Sequence, residues 1–588
     1  MITLRASLLL ALAAAPAAAQ APKTRLDSLD AFVTAQMARR NIAGLSLAII
    51  QDGKIAVVRG YGVTDATTRA PVTTETLFQA GSISKPVSAL GALHLVEAGK
   101  LSLDGDVNGF LTSWKVPANG FTATEKVTLR RLLSHSAGLT VHGFPGYDVA
   151  DAMPTLVQVL DGAKPANTAA IRVDTTPGAI WRYSGGGFTV MQQMVIDVTR
   201  MPFPRFLQET VLGPIGMRNS SFEQPQPAER AARTATGYYA DRTPVRGRWH
   251  LYPEIAAAGL WTSAGDLARF AIEIQETLAG KGHGVISPAM AEQYVTVQKA
   301  GSGLGIAVRG SGNTLQFSHG GWDEGFDALL VGYARTGQGA AIMLNANDNS
   351  RFLNRLVDYI ARSWGWPPAN PEIVPAARTG IALAPERLAR YAGYYEFMEN
   401  QLLTLVPSAG GTGLETLTDG LPNETFLALD SARFGSSDRP VVMVPATDAQ
   451  GAVTGMRWGV GIGERTIARV APLPSSRTAS TDPDPALTAK ILGALQAVRQ
   501  GGAALASAAD IPAGTKADFG NGIGSLLDGM GPLGYLGSEN VAGRGIRRHG
   551  SQVAQVRYYR LPLGKGQRYL LALLTAEGGL ADFDVVQR

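Results

Sequence analysis

The chain has 588 residues, of which 45% are hydrophobic and 17% charged, and its formal net charge is +5 at pH 7. This length exceeds what one ordinary hydrophobic core supports, so roughly two to four domains are expected. The charge is small for the length and no dense run of Lys or Arg occurs, which argues against nucleic acid as a partner.

The first residues have the pattern of a cleaved export signal. The stretch "MITLRASLLLALAAAPAAAQ" has one Arg, an apolar run too short to span a bilayer, and an Ala-x-Ala that ends at Ala19. Residues 1–19 are therefore predicted to be removed, which places the protein in the periplasm or outside the cell. No later run of about 18 apolar residues predicts a transmembrane anchor. The chain has no Cys, so it forms no disulfides even in such a compartment.

A serine and a lysine stand three residues apart in "GSISKPVSAL", residues 81–90. The apolar spacing that follows predicts a helix beginning at Ser82 and ending near Gly99, which puts Ser82 and Lys85 on one face. A serine hydroxyl needs a base to become a nucleophile, and a lysine amine can serve when its pKa is lowered. The alternative is that Ser82 is an N-cap and Lys85 a solvated surface residue. The pair alone does not distinguish these two interpretations.

Two motifs further along the chain are interpreted as structural. His135 and His142 in "SHSAGLTVHGF" have no His-Glu-x-x-His pattern or carboxylate cluster beside them, so they are predicted to be loop residues and not metal ligands. In "TSAGDL", Ser263 is predicted to be an N-cap with Asp266 at the third helical position.

The stretch "FSHGGWDEGF" carries His319, which taken alone is predicted to be a loop or core residue. Asp323 and Glu324 follow it; they could contact a cationic substrate, but exposed turn carboxylates are the expected case. No Gly-x-Ser-x-Gly occurs, which argues against an α/β-hydrolase.

Two stretches rich in Pro, residues 365–380 and 472–485, are predicted to be linkers. Between them, residues 381–471 show short apolar runs separated by turn residues, which is typical of a small β-barrel or sandwich. Residues 486–588 open with a helical pattern and close with strands, so the last unit is predicted to be a small α+β domain.

Five stretches occur in the order seen in one family: "LFQAGSISK", "VTLRRLLSHSAGL", "PGAIWRYSGGG", "AAGLWTSAGDLARF" and "FSHGGWDEGF". Together they resemble the beta-lactamase-related serine hydrolases, which include class C beta-lactamases, D-peptidases and family VIII-type esterases. The resemblance covers about residues 25–365 and implies, for residues 20–365, an α+β fold: an antiparallel sheet flanked by helices, an all-helical lobe, and the site between them. Residues 381–471 resemble the lipocalin-like barrel often appended to these enzymes, and the last unit faintly resembles a cone-shaped nuclear-transport-factor-like fold.

The resemblance implies a role for each matching residue. Ser82 would be the acylated nucleophile, Lys85 its base or proton relay, and Tyr183 the second general base. His319, Gly320 and Gly321 match the Lys-Thr-Gly element, and the amide of Trp322 would be the oxyanion donor opposite that of Ser82. No metal and no organic cofactor are implied.

Two departures from the family pattern bear on the substrate. Gly185 replaces the Asn of Tyr-x-Asn, and His319 replaces a permanently charged Lys with a weaker, pH-dependent cation. Both favour a small ester or a peptide-like substrate over a β-lactam. The predicted function is an exported serine hydrolase of esterase type, with D-amino-acid peptidase or beta-lactamase activity as the alternative. A non-catalytic wall-binding or sensor module is the other alternative, disfavoured because binding alone does not require a nucleophile and two bases. The sequence specifies no oligomeric state.

Overall fold

The computed structural model describes most of the chain from residue 22 onward. The described residues are 22–588 except 240–241, 368–377, 399–400, 419–420, 438–440, 460–463, 471–477, 514, 517–526, 528, 543–546, 549–550, 564–565 and 587–588. The predicted signal, residues 1–19, lies outside them. No described helix is both long enough and apolar enough to cross a membrane.

The first part of the chain interleaves strands with helices. Its elements are α1 (Pro22–Arg40), β1 (Gly44–Gln51), β2 (Lys54–Gly62), β3 (Phe78–Gln79), α2 (Ser84–Glu97), α3 (Leu129–Leu133), β4 (Tyr147–Asp148), α4 (Leu156–Asp161), α5 (Gly185–Thr199), α6 (Phe203–Leu207), α7 (Gly213–Ile215), α8 (Ala228–Ala231), β5 (His250–Leu251), α9 (Ile255–Ala258), β6 (Trp261–Thr262), α10 (Ala264–Leu278), α11 (Pro288–Tyr294), β7 (Ala307–Arg309), β8 (Gln316–Asp323), β9 (Phe326–Tyr333), β10 (Gly339–Leu344) and α12 (Ser350–Trp364).

A six-stranded antiparallel sheet forms the centre of this part, in the order β2-β1-β10-β9-β8-β7. Every residue of β9 and β10 is buried, because successive side chains point to opposite faces and both faces are covered. One face packs on α1 and α12, through Leu329, Val331, Tyr333, Ala340, Ile342 and Leu344. The other packs on α10 and the helical lobe, through Ala328, Leu330, Ala341 and Met343. The predicted arrangement of sheet and helices is confirmed.

Helices α2, α5 and α9 pack together in the helical lobe, and α2 is buried along most of its length. The helix expected from Ser82 starts differently: residues Gly81–Ile83 form a 3₁₀ turn, and α2 begins at Ser84. Pro86 is accommodated in the first turn, where backbone amides have no intrahelical acceptor. The turn sets the nucleophile candidate at the end of the helix that faces the sheet.

A closed eight-stranded barrel follows, which confirms the predicted small β-barrel. Its elements are α13 (Pro385–Ala389), β11 (Gly393–Met398), β12 (Gln401–Pro407), β13 (Gly413–Thr418), β14 (Leu421–Ala428), β15 (Phe434–Ser436), β16 (Val442–Thr447), β17 (Val453–Trp458) and β18 (Arg465–Val470). Each strand pairs antiparallel with the next, and β11 pairs with β18 to close the ring. Its interior is filled by apolar side chains, among them Tyr395, Leu405, Leu414, Phe426, Met443 and Ile467.

The last unit combines helices with a sheet, as predicted. It contains α14 (Pro485–Gln500), α15 (Gly502–Ser507), β19 (Gly534–Asn540), β20 (Arg547–Arg548), β21 (Ser551–Gln552), β22 (Gln555–Leu563), β23 (Gly566–Leu574) and β24 (Leu580–Val586). An antiparallel sheet of order β19-β22-β23-β24 packs its apolar face against the helices.

The second predicted linker is in part packed structure. Its described portion begins at residue 478, and there the Ser480 amide donates to the Tyr535 carbonyl at 3.1 Å. Asp482 forms an ion pair with Arg557, whose side chain is 3% exposed. Asp484 caps α14 by accepting the Leu487 amide at 2.9 Å. The linker prediction is therefore wrong for this portion, because acidic residues that suggested solvation are bonded to the last unit.

Candidate active site

Ser82 lies where the 3₁₀ turn meets strand β8. Gly81 has φ +51, and a Cβ there would lie 2.4 Å from the Trp322 nitrogen. A Cβ on Gly321 would lie 2.0 Å from the Ala80 carbonyl oxygen. Both positions therefore require glycine, and their glycines let the turn and the strand approach more closely than side chains allow.

Lys85 is directed at Ser82 from the first turn of α2. Its Nζ donates to Ser82 Oγ at 2.9 Å and to the Ala257 carbonyl oxygen of α9, also at 2.9 Å. The side chain of Lys85 is almost completely buried. It is therefore not a solvated surface residue, and Ser82 is not an N-cap: the cap position of α2 is Ile83, with no side-chain cap bond.

Tyr183 lies directly before α5, whose N-cap is Ser184. The ring of Tyr183 is 5.0 Å from Lys85 Nζ, measured to the ring centroid. It is also 4.9 Å from the His142 ring and 6.2 Å from the His319 ring, between centroids. The structure thus brings together the three predicted catalytic residues, although Tyr183 is about a hundred positions away in the sequence.

His319 projects from β8 towards the same group. Burial and the neighbouring Lys85 ammonium lower the pKa of His319 to about 4, so the imidazole is neutral near pH 7. Its Nδ1 lies 2.6 Å from the Gly320 carbonyl oxygen, which can only accept, so Nδ1 carries the proton. The Nε2 nitrogen is then left as an acceptor.

The glycines beside His319 differ in what they permit. The nearest atom to a Cβ on Gly320 would be the Ala328 carbonyl oxygen at 4.0 Å, so that position is open, unlike Gly321. Trp322 keeps 44% of its side chain exposed at the edge of the site. The strand therefore presents backbone to the site at two positions and a large aromatic surface at the third.

Gly185 starts α5 in a crowded place. A Cβ there would lie 2.9 Å from the Phe144 ring and 3.1 Å from the His142 carbonyl oxygen. Phe144 is itself buried. The space that a side-chain amide would need is thus taken by an aromatic ring, which sequence reasoning missed because nothing in the pattern around Phe144 marks it.

The turn after β8 corrects the expectation that Asp323 and Glu324 are exposed carboxylates. Asp323 is 1% exposed, and Glu324 is half-buried, so neither is the exposed turn carboxylate that was predicted. The turn is covered by Tyr252, whose hydroxyl accepts the Glu324 amide at 3.0 Å. Burial raises the pKa of Asp323 well above its usual range and that of Glu324 to about 7.

The capping motif is found as predicted: Ser263 Oγ accepts the Asp266 amide at the start of α10. Within the described residues, the only group of three side chains close enough to share a metal ion is Glu273, Glu276 and His283, at the other end of that helix. His135 and His142 belong to no such group in that part of the chain.

Known proteins resemble the chain over its first part. The model of the Beta-lactamase family matches residues 29–363. Protein flp of Staphylococcus aureus (strain MRSA252) is 24% identical over 347 residues, and the match covers 57% of this chain and 65% of that protein. A beta-lactamase of Pseudomonas fluorescens is 28% identical over 245 residues, covering 41% of this chain and 62% of its own length. The chain thus spans less than two thirds of either relative.

A solved structure, the octameric penicillin-binding protein homologue from Pyrococcus abyssi, has a TM-score of 0.52 and 20% identity. It covers 75% of this chain and 99% of its own, and it shows a common fold. With the family match extending over more than half of the residues, from α1 to α12, the chain belongs to the beta-lactamase family of serine hydrolases.

Proposed function

We propose that the protein hydrolyses short-chain esters through an acyl-enzyme on Ser82. The observation that carries the proposal is the 2.9 Å contact between Lys85 Nζ and Ser82 Oγ, made by a lysine that is 2% exposed. A buried amine held on a serine hydroxyl is the arrangement that activates a nucleophile, and binding alone does not need it.

Acylation follows from these positions. Lys85, in its uncharged form, takes the proton of Ser82 as Oγ bonds to the ester carbonyl carbon. The displaced electron pair moves to the carbonyl oxygen, which the amides of Ser82 and Trp322 bind. When the carbonyl re-forms, the bond to the alcohol breaks, and Tyr183 donates a proton to the alkoxide and recovers one from Lys85. Water then attacks the acyl-enzyme by the same sequence and releases the acid.

The surroundings of Gly185 and His319 favour an ester over a β-lactam. Phe144 fills the space of the amide that holds the acylamido group in beta-lactamases. His319, with a pKa of about 4, offers no positive charge to a substrate carboxylate near neutral pH. A short-chain ester needs neither group, because it has neither an acylamido group nor a carboxylate to be held.

The test is a comparison of kcat/KM for an aryl acetate, a D-amino-acid amide and a chromogenic cephalosporin. We expect the ester to be the best substrate, and a fluorophosphonate to label the parent but not Ser82→Ala. A clear preference for the cephalosporin would contradict the esterase proposal. Labelling without steady turnover would instead support a sensor, which acylates without deacylating.

We also propose that the protein is exported, from the signal pattern that ends at Ala19. N-terminal sequencing of the protein from a periplasmic fraction should begin at Gln20. Recovery of the intact N-terminus from the cytoplasm alone would contradict this.

A further inference from the structure

His135 lies directly against Tyr183. It follows α3 with a backbone φ of +56, in the left-handed region, and its side chain is 5% exposed. Its imidazole stacks on the Tyr183 ring, with centroids 4.2 Å apart and planes inclined by 30°. On another side it packs at 5.4 Å from the Phe188 ring of α5. The left-handed region is uncommon for residues other than glycine, and His is among the residue types that adopt it more often.

The same residue accepts hydrogen bonds from the backbone amides of the two residues that flank Tyr183. Its carbonyl oxygen accepts the Arg182 amide at 2.8 Å, and its Nδ1 accepts the Ser184 amide at 3.1 Å. Since a backbone N–H can only donate, Nδ1 carries a lone pair and the proton resides on Nε2. The two bonds and the stacked ring fix the backbone and the side chain of Tyr183 together.

The groups that face this imidazole are Lys85, Tyr183, His142 and His319. Burial, and then the charge of Lys85, lower the pKa of His135 well below its usual range. Protonation of His135 at Nδ1 would place a second cation beside Lys85. It would also break the bond from the Ser184 amide, because a protonated Nδ1 cannot accept. The neutral ring is therefore the form compatible with the geometry.

We propose that His135 is the positioning residue of Tyr183, and that its two backbone bonds and its stacked ring hold the phenol against the Ser82 and Lys85 pair. This inference rests on the proposed function, because only that function makes the Tyr183 hydroxyl important for kcat. The geometric part, an Nε2-protonated ring bonded to Ser184, does not depend on that function.

Kinetics of variants test the positioning role. His135→Ala removes the acceptor and the ring; His135→Asn keeps a side-chain acceptor and tolerates the left-handed backbone. We expect His135→Ala to lower kcat for an aryl acetate by about a hundredfold, as small misplacements of a catalytic group do, with little change in KM. His135→Asn should recover at least about a tenth of the parental rate. In a Tyr183→Phe background, His135→Ala should cause no further loss, because it acts through the missing hydroxyl.

The matched control is His94→Asn. His94 is half-buried on α2, and its Nδ1 lies 2.8 Å from the Val285 carbonyl oxygen. Its replacement should leave kcat unchanged. A parental kcat in His135→Ala, or an equal loss from that change with and without the Tyr183 hydroxyl, would overturn the proposal.

NMR of histidine-labelled parent protein provides a readout without turnover. We expect His135 in the Nε2-protonated neutral form at pH 7, with no titration near its ordinary pKa, and the same signal in Ser82→Ala. A protonated Nδ1 would overturn the proposal even if the ester is cleaved and even if His135→Ala does not fold. Failure of the esterase function would instead show as absent turnover with this NMR signature intact.

Discussion

On the helical side of the site, Lys85 is 2% exposed and both of its bonds go to fixed partners, whereas on the strand side Trp322 is 44% exposed and Gly320 is open to solvent. In the proposed mechanism the first side, the helical wall, holds the groups that move protons, and the second, the strand wall, presents backbone and an aromatic surface to the substrate. In the proposed mechanism, proton transfer belongs to the helical wall, and the strand wall supplies the Trp322 amide for the oxyanion and the surface that selects the substrate. Substitutions on the two walls should therefore fail in different ways.

The largest effect is expected on the helical wall. Lys85→Ala removes the proposed base on Ser82 and should lower kcat for an aryl acetate by about a hundredfold to ten-thousandfold, the range for a positioned base. The measurement is steady-state kinetics with a thermal unfolding control. A rate near that of the parent would mean that Lys85 is not the base and that proton transfer does not depend on the helical wall.

Next is a pair of substitutions on one strand. Gly321→Ala places a Cβ 2.0 Å from the Ala80 carbonyl oxygen and pushes β8 from the turn that carries Ser82. Displacing an oxyanion amide in this way should cost about a hundredfold to a thousandfold in kcat. Gly320→Ala, where the nearest atom is 4.0 Å away, is the matched control and should stay close to the parent. Equal losses in both variants would contradict the close approach of turn and strand.

The helical wall also carries a stability cost. Glu254, directly before α9, is 0% exposed, neither of its carboxylate oxygens has a hydrogen-bond partner among the described residues, and burial raises its pKa to about 8. The folded state then holds a proton that the unfolded state releases above its ordinary pKa near 4.5, so stability falls as pH rises from 4.5 to 8. Glu254→Gln should remove this loss.

Tm measured across that range checks the sign. The advantage of Glu254→Gln over the parent should grow with pH and level off above 8. An advantage that is the same at pH 5 and pH 8 would show that the carboxyl is not held protonated by burial.

The smallest effect on ester turnover is expected from the side chain of His319 on the strand wall. His319→Ala removes a neutral imidazole, so kcat/KM for an aryl acetate should change by less than about tenfold, below the usual loss of a positioned base. The ratio of kcat/KM for the ester to kcat/KM for the cephalosporin should change by a larger factor than the rate of acylation by the ester does. Loss of acylation in this variant, measured by fluorophosphonate labelling, would show that His319 takes part in the chemical step.

Most residues of the candidate site could be predicted from the sequence. Five short motifs contain them, and local spacing places Ser82 and Lys85 on one turn. The burial of Lys85 could not be predicted, since its enclosure comes from α9, some 170 positions later. Phe144 and His135 were missed as site residues for the same reason: their contacts with Gly185 and Tyr183 arise only when distant loops meet. Asp323 was misjudged because a turn motif indicates polarity but not that Tyr252 covers it.

The pairing of β11 with β18 also bears on how the molecule can assemble with others. Each strand of the closed ring has a hydrogen-bonded neighbour on both sides among the described residues, so the barrel offers less free strand edge than an open sheet does. The two larger open sheets end at β2 and β7 and at β19 and β24, and these edge strands are where we expect association through an added strand. For a partner that binds the barrel, we expect recognition of its loops or its outer side chains.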